Sequence, residues 1–491
     1  MFAPLARSLG IALACYSNWA AASKALEITF QPHLNNVSSY SIDAEMVMPE
    51  PQLTANSTLV TMYLWVAGIP TQRYDGDALQ VTDGSGVLTL TTTESGTEGV
   101  LQSRNWITSR ETNGNVTLRF TIHPRVLNGS EWGPLFDTRT QEGGLLGSTI
   151  STVPLPDEDS AAYTITQAWD LGDTPADTRV ATTFGESTSK TFDVALQDYV
   201  FSLWAVGNIH SYPEATTPNT DFATYWFDEP SFNTTEVSSL IQRFYEAESD
   251  FFNHTSDIGY HVFFRNQTST GGTALTESFI YGWVPKMNSS ALDIEYILAH
   301  EISHNFLEFD DTVVNATTIS QGWAEYYSTR LLWRNNFITD QQYLDVENKA
   351  VSYYYNDPYN SLTDSEVQAN PWGSLAVQKV PYGRGLIYLH NVDAEMRQRY
   401  HGTKSVDTIT MEMIQRKKSG LSLGLEDWFN ILRTYLGEGA VDYYNEVASG
   451  KPLLELRQGT LSPCFKVVQT SESPVVYQWE MDKGSTESCI I

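Results

Sequence analysis

Basic residues are scarce in this chain. Its 29 lysines and arginines stand against 59 aspartates and glutamates, giving 491 residues a formal net charge of −30 at pH 7. Such a polyanion has no electrostatic footprint for nucleic acid or for an anionic membrane surface, so neither is expected as a partner. Long apolar runs are missing as well. No internal stretch reaches the roughly 20 residues of a membrane-spanning helix. The apolar stretch near the start, around Leu9 to Cys15, is too short to span, so no membrane anchor is expected. Glycine and proline number only 32 and 20, and no repeat or low-complexity tract is visible, which argues against extensive disorder. With 41% hydrophobic and 12% aromatic residues the chain can bury two cores.

Cysteine is nearly absent, at three residues. Arg7, the apolar stretch after it and the small residues Ala20-Ala21-Ala22-Ser23 read as a secretory signal over residues 1–22, which takes Cys15 with it. Cys464 and Cys489 are then the one pair left, and in an oxidising compartment they are expected to close a disulfide across the C-terminal tail. No histidine lies near that pair in sequence, so a cysteine nucleophile is not supported. Nine Asn-X-Ser/Thr sequons point the same way: Asn36, Asn56, Asn115, Asn128, Asn233, Asn253, Asn266, Asn288 and Asn315. Their number, more than any one of them, indicates a secreted glycoprotein.

From about residue 24 to 190 the chain reads as β structure. Ser57–Trp65, Val87–Thr93, Val116–Ile122 and Tyr163–Trp169 alternate or cluster β-branched and aromatic residues, and turn clusters such as Asp83-Gly84-Ser85-Gly86 separate them. Short strands at this rhythm predict a sandwich-like domain over 23–195. Beyond 196 helical periodicity dominates, with helices expected over Ser238–Asn253, Trp323–Arg334, Tyr382–Tyr400 and Leu425–Leu436, and a strand at His261–Arg265. Segment 356–381 reads as a long loop, and 456–491 as a short tail.

What the chain does have is His300-Glu301-Ile302-Ser303-His304. On a helix, residues four apart share a face, so both imidazoles can grip one Zn²⁺ while Glu301 serves as general base for water. Ser289-Ser290-Ala291-Leu292-Asp293 supplies a hydroxyl cap and first-turn acid before it, and Ile294, Ile297, Leu298, Phe306 and Leu307 mark a buried face.

Several stretches around it carry a family resemblance: Ala168-Trp169-Asp170-Leu171, Arg179 to Gly185, Gly271-Gly272-Thr273-Ala274-Leu275, Gly322-Trp323-Ala324-Glu325-Tyr326-Tyr327 and Tyr382-Gly383-Arg384-Gly385. In order and separation these are similar to the M61 zinc metallopeptidases, the glycyl-aminopeptidase family. The resemblance implies an α+β protein: a β-sandwich-like N-terminal domain followed by a thermolysin-like, mainly helical catalytic domain over 196–455. It implies one Zn²⁺ per chain on His300 and His304, polarising the scissile carbonyl and lowering the pKa of its water. It also implies Glu301 as base and Tyr382 as hydrogen-bond donor to the oxyanion. Many relatives add a PDZ-like domain, for which the tail after 455 is too short.

The family's third zinc ligand is a Glu directly before the Gly of the Gly-aromatic-X-X-Tyr-Tyr stretch, where this chain has Gln321. Gln321 could bind through its amide oxygen. Glu325, one turn later, could take the ligand role instead of orienting a histidine. Alternatively, catalysis is lost and the fold kept. Asp310, six residues after His304, has a metzincin-like spacing but lacks the glycine that such a turn needs. The family's aminopeptidases carry a Glu after the double glycine to hold the α-amine. Here Thr273 and Ala274 follow, with Glu277 the nearest carboxylate, so aminopeptidase and endopeptidase both stay open. Arg384 replaces a family Lys and keeps its charge. The expectation is a secreted zinc peptidase acting on peptides or proteins. The rival is a catalytically impaired binding protein on the same fold, a peptide or surface-glycan binder. A structural cell-wall protein has only acidity and sequons in its favour.

Overall fold

The computed structural model describes residues 24–127, 133–158, 161–214, 221–268, 270–285, 291–306, 317–369, 374–419, 421, 423–451, 453–472, 474–484 and 489, with the side chains of 291–295 left aside. The signal segment, Ser289-Ser290, Leu307, Asp310 and the sequons Asn128, Asn288 and Asn315 lie outside the described residues. The chain divides into two compact units. One runs to Gln242 and takes in Ser256–Asp293; the other comprises Arg243–Thr255 and Ile294–Ile491.

Alternation builds the first unit. In Lys24–His33 the side chains of Leu26, Ile28 and Phe30 are buried while Glu27 and Thr29 face outward, and Ile42, Ala44, Met46 and Met48 do the same in Ser41–Met48. These strands sit inside a seven-stranded sheet. Its order is Ser189–Ala195, Ala162–Trp169, Lys24–His33, Ser41–Met48, Val116–Ile122, Gln80–Asp83, Gly86–Val87. Lys24–His33 and Ala162–Trp169 pair in parallel, Lys24 opposite Tyr163 through Phe30 opposite Trp169. A four-stranded sheet (Ile69–Pro70, Thr58–Val66, Leu101–Thr108, Leu90–Thr97) contributes Leu59, Val60, Met62 and Trp106 to the same core. The β-rich N-terminal part is therefore present, with core side chains drawn from both sheets.

Two further five-stranded sheets follow in this unit. The second has the order His210–Tyr212, Phe222–Trp226, Tyr260–Asn266, Ser278–Trp283, Gly271–Leu275. Its three middle strands are parallel and buried almost throughout, which is why they read as continuous apolar runs and not as alternation. Gly271–Leu275 forms the edge, and Glu277 occupies the turn that leads out of it.

Helices dominate the second unit. After α1 (Leu196–Val200) and α2 (Thr234–Phe252), whose second half belongs here, come α3 (Ala291–Ser303), α4 (Thr317–Arg334), α5 (Asp340–Asn356), α6 (Asp364–Ala369), α7 (Leu375–Arg399), α8 (Val406–Lys418), α9 (Leu425–Leu436) and α10 (Glu438–Ala448). Capping sets several starts. Thr339 and Gln342 close a capping box at α5, and Ser405 caps α8. Gly437, at φ 87°, ends α9 and turns the chain into α10.

Two expectations are corrected here. Segment 356–381 is not a long loop: it contains α6 and the first two turns of α7. Ser374 caps α7 by accepting from the Val377 amide, and the helix carries Pro381 in its interior, a residue that reads as a breaker. The segment after 455 is also more than a tail. Phe465–Glu472 and Val475–Met481 form a hairpin that Asn348 of α5 clamps by two hydrogen bonds to the backbone of Trp479, at 2.9 and 2.8 Å. Cys464 and Cys489 are joined in a disulfide. Among the described residues no helix is long and apolar enough to cross a membrane.

Candidate metal centre

Three helices of the second unit supply the candidate residues. His300 and Glu301 stand in the last turn of α3, and His304 follows in the hydrogen-bonded turn that closes it. Gln321 and Glu325 are one turn apart on α4, and Tyr382 lies on α7. All six side chains are buried, His300 and Glu301 completely. Side chains fixed this way cannot swing out to solvent.

The i,i+4 spacing does what it predicts. Nε2 of His300 and Nε2 of His304 lie 3.1 Å apart, with ring centroids at 4.7 Å and planes at 82°. Two zinc-bound imidazole nitrogens at bond lengths of about 2.0–2.1 Å stand roughly 3.3 Å apart at a tetrahedral centre, so this pair fits a shared ion. Burial is the main force on both rings. It lowers the pKa of His300 well below the usual value, with the neighbouring His304 adding to the shift, and takes His304 down to about 3. Both imidazoles are therefore neutral at physiological pH, the form that offers a lone pair.

Gln321 and Glu325 separate by what they face. Oε1 of Glu325 lies 3.1 Å from Nδ1 of His300, a close polar contact off the axis of an aligned hydrogen bond. Burial raises the Glu325 carboxyl to about 8. The Gln321 side chain instead hydrogen-bonds toward both His300 and His304, and it favours their charged forms. Among the described residues no three His, Cys, Asp or Glu side chains gather as a metal-holding group. His300, His304 and the Gln321 amide are the donors that could hold an ion.

Tyr382 stacks on His300, with ring centroids 5.4 Å apart and planes at 12°. Burial first, and then the carboxylates of Glu301 and Glu325, hold its phenol well above the usual range, so it keeps the proton it would donate. Its helix is tied down nearby. Two residues on, Arg384 is completely buried and donates to Asp364 Oδ1 at 2.7 Å, to the Asn360 carbonyl at 3.0 Å and to the Leu362 carbonyl. Thr318 of α4 donates to the same Asp364 oxygen at 2.6 Å. One carboxylate thus joins the helix of Gln321 to the helix of Tyr382. The two helices also meet backbone to backbone: a Cβ on Gly322 would stand 2.6 Å from Gly385 Cα.

Sequence reasoning missed this clamp, and it missed Glu248. That α2 carboxyl is buried with both oxygens 3.1 Å from the hydroxyl of Ser303, the residue before His304. The Ser303 hydroxyl also lies 3.0 Å from the Ala299 carbonyl. One hydroxyl hydrogen cannot serve both. Burial raises the Glu248 pKa well above the usual value, and the hydroxyl of Ser303, its hydrogen-bond partner, works against that shift. A buried carboxyl facing another helix leaves no spacing signal in sequence. The Thr318–Asp364–Arg384 set could have been suspected only from its fixed charges.

Of the remaining candidates, Glu277 is half-buried in its turn, in the first unit. Asn36, Asn56, Asn115, Asn233 and Asn253 are exposed, whereas Asn266 is half-buried in a strand and donates from Nδ2 to Asp228.

No protein-family model matches this sequence, and no curated protein does. Solved structures do match. An aminopeptidase N family protein from Idiomarina loihiensis superposes with a TM-score of 0.69 at 12% identity, over 90% of this chain and 79% of that one. A variant of the M1 zinc metallopeptidase of Deinococcus radiodurans, bound to a Tyr-Ser-Ala substrate, gives 0.55 at 15% identity over 88% of this chain and 95% of that one. Yeast LTA4 hydrolase gives 0.55 at 15%, over 92% and 71%. At these identities the likeness is one of fold, a β-rich N-terminal part with a helical C-terminal region.

Proposed function

We propose that this chain is a secreted, zinc-dependent peptidase with a thermolysin-like catalytic region over 196–455, acting on peptides or proteins with one zinc per chain. The observation that carries the reading is the 3.1 Å approach of the Nε2 atoms of two buried, neutral imidazoles one helical turn apart. The M1 peptidase fold of the matched structures supports the reaction class. The motif order supports an M61-like relationship. When bound, zinc supplies Lewis-acid polarisation of the scissile carbonyl and acidifies water.

The chain's own residues divide the rest of the work. His300, His304 and Gln321 hold the ion. Glu301, buried beside them, takes the proton from the attacking water and returns it to the leaving amine. Tyr382, held protonated, donates its O–H to the carbonyl oxygen as negative charge develops there. Glu325 orients the ring of His300 from its Nδ1 edge. Export through the secretory pathway, with glycans on the exposed sequons, belongs to the same proposal.

A second reading, a catalytically impaired binding protein on this fold, draws on one observation: an amide stands where the family has a carboxylate. Zinc stoichiometry and peptidase activity, measured on the same purified glycoprotein, separate the two. The enzyme reading expects one zinc and chelator-sensitive hydrolysis that disappears in Glu301→Gln while the melting curve is unchanged. A variant as fast as wild type would remove Glu301 from the mechanism. One bound zinc without hydrolysis of any peptide in a mixed library would favour the binding protein.

A further inference from the structure

We infer that Glu248 of α2 is a positioning residue for the metal centre: through the hydroxyl of Ser303 it holds the turn that carries His304, and so sets the distance between the two histidines. The inference rests on the zinc site proposed above and adds to it a residue that touches neither the ion nor the substrate.

The second histidine needs support because it stands outside the helix of the first. α3 ends at Ser303. Beyond it the backbone closes in tighter steps. The Asn305 amide donates to the Ile302 carbonyl at 2.9 Å and the Phe306 amide to the Ser303 carbonyl at 3.3 Å, three residues back instead of four. A regular α-helix fixes the offset between residues four apart, and one that passes into a tighter turn does not. The 3.1 Å approach of the two Nε2 atoms therefore depends on what holds the turn.

One face of α2 does the holding. Tyr245, Glu248 and Phe252 are spaced three and four apart, so they lie on the same side of that helix. Both oxygens of Glu248 are 3.1 Å from Ser303 Oγ, in the residue before His304. Two residues after His304, Phe306 stacks on Phe252 at 4.9 Å and 24° and on Tyr245 at 6.2 Å and 26°. Ring contacts tolerate sliding, whereas a hydrogen bond has a narrow range of length and angle, so Glu248 is the contact that sets the register. Glu248 is 2% exposed and Ser303 5%, which leaves water no room to replace either partner. Ser303 also meets the Ala299 carbonyl of its own helix at 3.0 Å, and Glu248 is its link to a second element. For stability alone an apolar side chain would serve better than a buried carboxyl facing one hydroxyl. The acid is accounted for by where it places the turn.

The test measures zinc affinity by competition with a chromophoric chelator, at fixed pH and ionic strength, and needs no substrate. Glu248→Leu and Glu248→Ala remove the acceptor, the first keeping the bulk, and Ser303→Ala removes the hydroxyl. Each should weaken zinc about tenfold, the lower end of what is lost when a residue that orients a ligand is removed. Glu248→Gln keeps an acceptor oxygen for Ser303 and should stay within about threefold of wild type. Glu248→Leu combined with Ser303→Ala should be no worse than either alone, because both break the same contact. Urea unfolding of the zinc-free proteins separates position from stability. Glu248→Leu should lose affinity without losing stability, while the double Ser variant of Cys464 and Cys489 should lose stability and keep wild-type affinity.

Glu248→Leu and Glu248→Ala binding zinc as tightly as wild type, or Glu248→Gln binding it as weakly as they do, would overturn the inference. A loss confined to Ser303→Ala would do the same, since it would place the effect in the local bond to Ala299. Failure of the underlying reading looks different: wild type and His300→Ala would then bind zinc equally poorly, and the inference would fall with the site.

Discussion

Gly385→Ala adds one methyl group to the crossing of α4 and α7, and the structure says what that methyl would meet. A Cβ at Gly385 would overlap the Thr318 carbonyl oxygen and stand 2.5 Å from Gly322 Cα. Carbon atoms in contact settle at about 3.5–4.0 Å, so roughly 1 Å of separation must be found. Neither neighbour is a side chain that can rotate away. The helices themselves must part, or α7 must bend. In a helix interior, alanine is intrinsically better than glycine by about 0.8–1 kcal/mol. Overpacking of a well-packed core costs about 1–3 kcal/mol and occasionally more, and rigid backbone on both sides puts this case at the upper end or above. The expected net loss is about 2 kcal/mol.

Gly439→Ala is the matching control. It makes the same chemical change in a helix, but nothing lies within 4 Å of the new Cβ, so a gain of up to about 1 kcal/mol is expected there. Urea unfolding followed by tryptophan fluorescence reads both variants. Zinc affinity adds a second readout, because Gly322 follows Gln321 directly and Gly385 lies three residues from Tyr382 on the same helix. Gly385→Ala should weaken zinc and Gly439→Ala should not. A Gly385→Ala protein within about 0.5 kcal/mol of wild type would refute the claim that the two backbones are in contact at this crossing.

Two further outcomes can be stated from buried groups. Glu248 keeps its proton in the fold at pH values where an unfolded glutamate has lost it, because burial outweighs the Ser303 hydrogen bond. Between the unfolded value and the raised folded one, the native state binds more protons, so stability falls as pH rises, by up to about 1.4 kcal/mol per pH unit for one group. Glu248→Gln keeps the shape and cannot ionise, so variant and wild type should diverge with rising pH, the variant being the more stable. Parallel stability curves from about pH 5 to pH 8 would mean that Glu248 is ionised in the fold. Cys464 and Cys489 are 25 residues apart, a loop whose closure restricts the unfolded chain by about 3.5 kcal/mol. The double Ser variant should lose up to that amount and become indifferent to reductant; a wild type whose urea midpoint ignores reductant would argue against a stabilising bridge.

Legibility in the sequence tracked how local the determinant was. Val116–Ile122 and Leu425–Leu436 have the bounds that their periodicity predicts, because alternation in one and an amphipathic stripe in the other are written in consecutive residues. The first two turns of α7 were hidden by Pro371-Trp372-Gly373 and Pro381, which locally favour a break. Ser374 capping and burial of Val377 and Val380 beside Val367 outweigh that preference. The C-terminal hairpin was hidden for the opposite reason. Its strands are half-exposed and weakly alternating, and it is the burial of Trp479 and the two Asn348 hydrogen bonds that define it.

The candidate site divides along the same line. His300, Glu301 and His304 could be found because one helical turn relates them. The choice between Gln321 and Glu325 could not be made, because residues four apart share a helix face and are equivalent to any periodicity argument. What the structure adds is that Glu325 meets the Nδ1 edge of the His300 ring, a relation set by how α4 lies against α3. The Thr318–Asp364–Arg384 clamp and the Gly322–Gly385 crossing fix α4 in turn against α7. Where Gln321 and Glu325 stand relative to the histidines is therefore a consequence of helix packing some distance from them. A variant that shifts this packing should change metal affinity without touching a donor.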